Sequence, residues 1–153
     1  MLIVHLRIND SETKRPTPAR VRISTADGRQ FAPLGRFVDF PVGRNEAVGA
    51  GLRIGPETWF CTDGACEIAL PSAVPLRVQA VKGPEFRPLD QTVTLGIGQM
   101  ALRFSIERWI SPRNEGWVSV DTHCRFLSPH DALFEAAAEG LDVVNLLAAP
   151  QPF

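Results

Sequence analysis

The sequence contains no tyrosine, only three cysteines and two methionines, and almost no net charge, −1 over 153 residues. It has no basic stripe or polybasic run, which removes nucleic acid and anionic membrane surfaces from the partners to consider. No apolar run approaches the roughly 18 residues of a spanning helix, so no membrane crossing is expected. Lysine is scarce as well, two against fourteen arginines, and the arginines are scattered along the chain. Such scatter reads as surface ion pairing and assigns no single arginine a function. The opening MLIVHLRIND lacks the basic n-region and continuous apolar stretch of a secretory signal. The expected location is cytoplasmic if Met1 is native, and exported if a leader has been removed.

What is present is enough apolar material for a core, 44% hydrophobic against 22% charged residues. At roughly 100–200 residues per domain, the length fits one domain, or one small domain and a fragment. A complete (β/α)8 barrel, at about 250 residues, does not fit. Charge divides the chain in two. Residues 1–113 hold 15 basic and 11 acidic side chains (+4), and residues 114–153 hold 1 and 6 (−5).

The first part reads as β structure. Leu2 to Ile8 and Ala19 to Ser24 alternate apolar with polar residues, and the prolines of SETKRPTP between them exclude a central strand. Asp27-Gly28 signals a hairpin, with Gln30 to Leu34 returning. The glycine-rich segment 41–57 predicts a surface excursion. Thr58 to Cys61 and Cys66 to Leu70 around Asp63-Gly64 predict a second hairpin, with Cys61 facing Cys66. Such a pair would sit about 4.5 Å apart at Cα, which allows either a disulfide or two half-buried thiols. Leu76 to Val81, Gln91 to Leu95 and Ala101 to Ile106 complete at least seven short strands. The expectation is a mainly β fold, an antiparallel β-sandwich over residues 1–110, with 111–115 as a linker.

Residues 116–153 have another character. Trp117 to Val120 predicts a short strand, and Ser128-Pro129 opens a helix with Asp131 in its first turn. Gly140 ends that helix, and LDVVNLL predicts a strand covered on both faces. Strand, helix and strand form the opening of a parallel α/β unit, which should fold back on the sandwich or pair with a second copy as a dimer.

Candidate chemistry lies in Asp121-Thr122-His123-Cys124-Arg125, just after the predicted strand, where barrel enzymes place metal ligands. A water-activating metal needs several converging ligands, and this chain offers Asp121, His123 and His130 nearby. Cys124 has acidic neighbours that disfavour the thiolate and reads as inert. Cys61 and Cys66 alone are poor evidence for zinc, because no further ligand pair completes four donors.

The passage GWVSVDTHCRFLSPHDALFEAAAEGLDVVNLL, residues 116–147, resembles the entry to the catalytic domain of the CehA/McbA, carbaryl-hydrolase-like metallohydrolases, relatives of the PHP phosphoesterase barrels. That family opens with G-W-x-x-x-D-x-H-x-H, then a helix starting P-x-D-A-L and the run A-x-x-E-G-L-D-V-V. The resemblance implies a divalent metal, zinc or manganese, for the complete family domain, with Asp121 and His123 at ligand positions. The second histidine position is Arg125, whose permanent guanidinium charge cannot ligate a cation. The preceding sandwich resembles the prealbumin-like, carboxypeptidase-regulatory type of domain, including Gly83-Pro84-Glu85-Phe86. Transthyretin-like hydrolases share that architecture but end in Tyr-Arg-Gly-Ser, and this chain has no tyrosine.

The expectation is therefore a non-catalytic accessory or interaction β-sandwich module of a PHP-like metal-dependent hydrolase. Its metal motif is degenerate and truncated, and no cofactor belongs to this chain. Its partner would be the rest of the metallohydrolase domain or a second copy. One alternative is a carbohydrate- or protein-binding module using segment 41–57 and Trp109, with Trp59 and Trp117 read as core. Another is half of a two-chain metal-dependent hydrolase.

Overall fold

A computed structural model describes residues 1–34, 51–125 and 127–147. The first strand, β1 (Leu2–Asp10), directs Val4, Leu6 and Ile8 inward, each at most 1% exposed, because alternate side chains leave a strand on opposite faces. Strands β2 (Ala19–Thr25) and β3 (Gln30–Phe31) form the Asp27-Gly28 hairpin. The return strand is shorter than the sequence suggests, since Pro33 bridges to Ile68 in the opposite sheet. Next come β4 (Gly51–Ile54), β5 (Glu57–Thr62), β6 (Ala65–Leu70), β7 (Pro75–Val81), β8 (Leu89–Thr94) and β9 (Ala101–Ile106).

These strands make two facing sheets, ordered β6-β1-β9 and β4-β5-β2-β7-β8, with β3 on the same side of β2 as β5. Their inner faces bury Ile23, Val78, Ile68, Leu70, Phe104 and Ile106 in one apolar cluster. The molecule is mainly β, with the sandwich the alternation predicts. One pairing departs from an all-antiparallel sandwich: β1 and β9 run parallel, His5 opposite Ala101 through Asp10 opposite Ile106.

The hairpin expected at Asp63-Gly64 is not formed. Strand β5 pairs with β2, Thr62 opposite Ala19, whereas β6 pairs with β1, Ala65 opposite Arg7. The turn crosses between sheets because Phe60 and Ile68 both have to reach the core, one from each side. Gly64 permits the crossing at φ +106°, and a Cβ there would overlap the backbone of Thr17. Cys66 packs against the core cluster, while Cys61 looks out of the sandwich, and neither forms a disulfide. Of segment 41–57, residues 41–50 lie outside the described residues, and the remainder is β4, a turn and the start of β5 rather than a surface excursion.

Beyond the sandwich, a 3-10 turn at Pro112–Glu115 occupies the expected linker. Strand β10 is Val120–Cys124, later than predicted, so Asp121 and His123 lie within the strand rather than past its end. Residues 117–119 are held differently. Trp117 N–H donates to the Pro112 carbonyl, and the Ser119 carbonyl accepts from Asp142 and Val143. Trp117 is 68% exposed, against the expectation of a core tryptophan, whereas Trp59 is buried at 9%.

Helix α1 (Pro129–Glu139) starts as its sequence predicts. The Ser128 hydroxyl accepts from Asp131 N–H at 3.1 Å, Pro129 fills the first turn, and Gly140 closes the end in a left-handed conformation. Strand β11 (Val143–Leu146) then pairs parallel to β10, Val120 opposite Val143. It is not covered on both faces as expected, because the described sheet has only two strands. Val144 faces the helix side, while Val143 and Val120 are 49% and 44% exposed. Among the described residues, no helix is long and apolar enough to cross a membrane.

Candidate functional site

Two places gather chemistry-bearing side chains. The first is β10, where the sequence located its metal candidates. The Asp121 Oδ1 accepts from the His123 backbone N–H at 2.8 Å, which turns this carboxylate onto its own strand. His123 and Arg125 are exposed. His130 is exposed at the first turn of α1, its Nδ1 3.5 Å from Asp131 Oδ1. No cluster of three or more potential ligands occurs among the described residues. A catalytic zinc requires about three protein ligands and an open position. Asp121 and His123 supply two donors beside a permanent cation, so this set does not fit the metal implied for the family domain.

Behind β10, Asp121, Cys124, Glu135 and Val144 border a small cavity of about 90 Å3 against α1. Burial, then the Asp121 and Glu135 carboxylates, push the Cys124 thiol above its ordinary range. The thiolate nucleophile is therefore disfavoured, as its acidic neighbours suggest.

The second place was not singled out by sequence reasoning. The end of α1 meets the sandwich at Lys82, which follows β7, and a cavity of about 320 Å3 opens between them. Its walls carry Lys82, Arg108 and Arg113, with Asp10, Glu85 and Phe86. Lys82 Nζ donates to the Pro18 carbonyl at 2.8 Å and to the Ala137 carbonyl at 2.7 Å, joining sandwich and helix through one ammonium. The Ala137 carbonyl also accepts the Gly140 backbone N–H, and a cation beside it complements the negative end of the helix dipole. Arg108 pairs with Glu85, its guanidinium 4.3 Å from the Phe86 ring centroid, and Arg113 pairs with Asp142. The only sequence signals were the scarcity of lysine and the Gly83-Pro84 turn. Neither reveals that positions 82, 108 and 113 converge.

Burial, then the neighbouring Arg108, lowers Lys82 to about 8, with Arg113 acting in the same direction and Asp10 opposing. Lowering favours the neutral amine in the folded state, so between about pH 8 and the unfolded value of 10.5 the unfolded chain binds more protons. The contribution of Lys82 to stability is then complete above 10.5 and is lost as pH falls toward 8. We expect the stability difference between wild type and Lys82→Met to change over this window in urea titrations, wild type gaining relative to the variant as pH rises. Parallel profiles would refute the coupling. The Cys124 thiol remains in both proteins, so its own titration cancels in the comparison.

The other aromatic candidate, Trp109, is 55% exposed, but its Nε1 donates to the Pro84 carbonyl at 2.8 Å. The indole is thereby fixed against the turn rather than presented as an isolated surface ring.

Comparison of this chain with protein-family models, curated proteins and solved structures finds no match.

Proposed function

We propose that this protein is a non-catalytic accessory β-sandwich module, of the prealbumin-like or carboxypeptidase-regulatory-like type, attached to the opening of a PHP-like metallohydrolase domain of the CehA/McbA kind. The observation that carries this reading is the β10-α1-β11 unit. Its strands run parallel, its helix crosses between them, and its two-stranded sheet leaves exposed Val120 and Val143. Parallel sheets are otherwise found covered on both faces, which supports reading two parallel strands with one helix as the beginning of a larger α/β assembly. Asp121 and His123 stand on its first strand, with Arg125 two residues beyond. With those donors the proposed role is binding and assembly, and no hydrolytic step is assigned.

Elemental analysis after purification in zinc or manganese, followed by chelator dialysis, tests the degenerate motif. The expected result is a substoichiometric metal content, and Arg125→His is expected to raise zinc affinity by about tenfold, or 1.4 kcal/mol. One retained ion per wild-type chain would overturn the reading.

The partner proposed for the open sheet is the remainder of the metallohydrolase domain or a second copy of the chain. Trp117 and Val118, 68% and 64% exposed, extend the apolar surface next to Val120, and this favours a protein partner over a carbohydrate. Sedimentation of the chain alone is expected to show a dimer that Val143→Lys dissociates. A strict monomer at high concentration would remove the second-copy partner.

A further inference from the structure

We propose that the cavity between the sandwich and α1 is a binding site for a small oxyanion, a carboxylate or phosphate group, held by Lys82, Arg108 and Arg113. Three cations reach it from three separate pieces of chain: the end of β7, the segment after β9 and the 3-10 turn. Two carboxylates also line the cavity, and both are engaged within the protein. Asp10 Oδ1 accepts the backbone N–H groups of Glu12 at 2.7 Å and Thr13 at 3.0 Å, and Glu85 is paired with Arg108.

The cations crowd one another. Arg108 and Arg113 each disfavour a proton on Lys82 and Asp10 favours one. Both guanidiniums are also paired with carboxylates, Glu85 and Asp142, so a bound anion would relieve the part of that repulsion the carboxylates leave. Lys82 donates two hydrogen bonds to main-chain carbonyls and lies 5.8 Å from the Phe86 ring centroid. An ammonium carries three N–H donors, which leaves one for a ligand. Arg113 has a half-exposed side chain, and its fork can take a second planar or tetrahedral oxyanion group. A volume of about 320 Å3 lies at the lower end of the small-molecule range, which suits phosphate or a small dicarboxylate.

The composition supplies an internal control, because Lys14 is the only other lysine and is exposed. With lysine labelled by 13C at Cε, the chain gives two side-chain signals that can be titrated separately by NMR. Inorganic phosphate and malonate, added as separate arms against sodium chloride of equal ionic strength, are expected to raise the Lys82 midpoint by about half a pH unit or more and leave Lys14 in place. The arm that acts at lower concentration identifies the ligand class. Arg113→Gln, a change at a half-exposed side chain, is expected to weaken the effective anion by about tenfold. Lys82 moving no further with either anion than with chloride would overturn the site. So would an unchanged response in a folded Arg113→Gln protein.

Discussion

Replacing Gly83 by alanine is expected to release α1 and its two strands from the sandwich while leaving the sandwich folded. Gly83 holds φ +53°, and a Cβ built there falls far inside contact distance of the Glu139 carbonyl oxygen. The left-handed backbone alone costs a non-glycine residue about 1–2 kcal/mol. The overlap adds to this, because the obstacle is main chain at the end of a helix and cannot rotate away. Among the described residues, the contacts that resist separation include Lys82 reaching Ala137, the Arg20–Glu139 ion pair, and Phe134 with Ala138 packed on Cys61. A penalty of about 2–4 kcal/mol would therefore shift the docking equilibrium by roughly 30-fold or more. Hydrogen exchange should show α1 amides losing protection while β1 and β2 keep theirs. Unchanged protection in α1 would show that the packing at Gly83 can relax.

The second large effect is expected from Leu6→Ala. Leu6 is 1% exposed on β1, the middle strand of its sheet, and faces the core across from the second sheet. Removing a buried leucine in such a place typically costs about 2–5 kcal/mol, through lost transfer energy and the cavity left behind. Small domains have roughly 5–15 kcal/mol in total, so the denaturation midpoint should fall by a large fraction. Ile3→Ala on the same strand should cost less than about 0.5 kcal/mol, because Ile3 is 57% exposed. Equal losses from the two substitutions would contradict the register of β1.

Alternation made most of the sandwich legible. Leu2–Asp10, Ala19–Thr25, Pro75–Val81 and Ala101–Ile106 fall where the period-two pattern places strands, because a half-buried strand has to place its apolar residues on one face. The ends of α1 were equally readable, since Ser128, Pro129 and Gly140 act on backbone groups within a few residues. The pairing of β5 and β6 was not readable. Asp63-Gly64 looks like a hairpin turn locally, and only the position of β1 and β2 in separate sheets makes it a crossing. The burial of Trp59 followed from its strand pattern, but the same reasoning failed for Trp117, whose stretch is held outside a strand by Pro112 and the Ser119–Asp142 contacts.

The candidate sites divide in the same way. Asp121, His123 and Arg125 lie within five residues, so their donor chemistry and the misfit of the guanidinium were visible in one stretch of sequence. Lys82, Arg108 and Arg113 looked like scattered surface charges until the fold brought the end of β7, the chain after β9 and the 3-10 turn to the end of α1.

By itself, the sequence determined most of the strands, though not β4 or the position of β10, the helix with both its caps, and the change in character after residue 113, because each follows from short-range periodicity and local hydrogen bonding. Only the tertiary structure decided which strands share a sheet, which thiol faces the core and which cations meet across a cavity. Those outcomes depend on burying apolar faces against segments distant in the chain, and such contacts leave no local mark on the residues that make them.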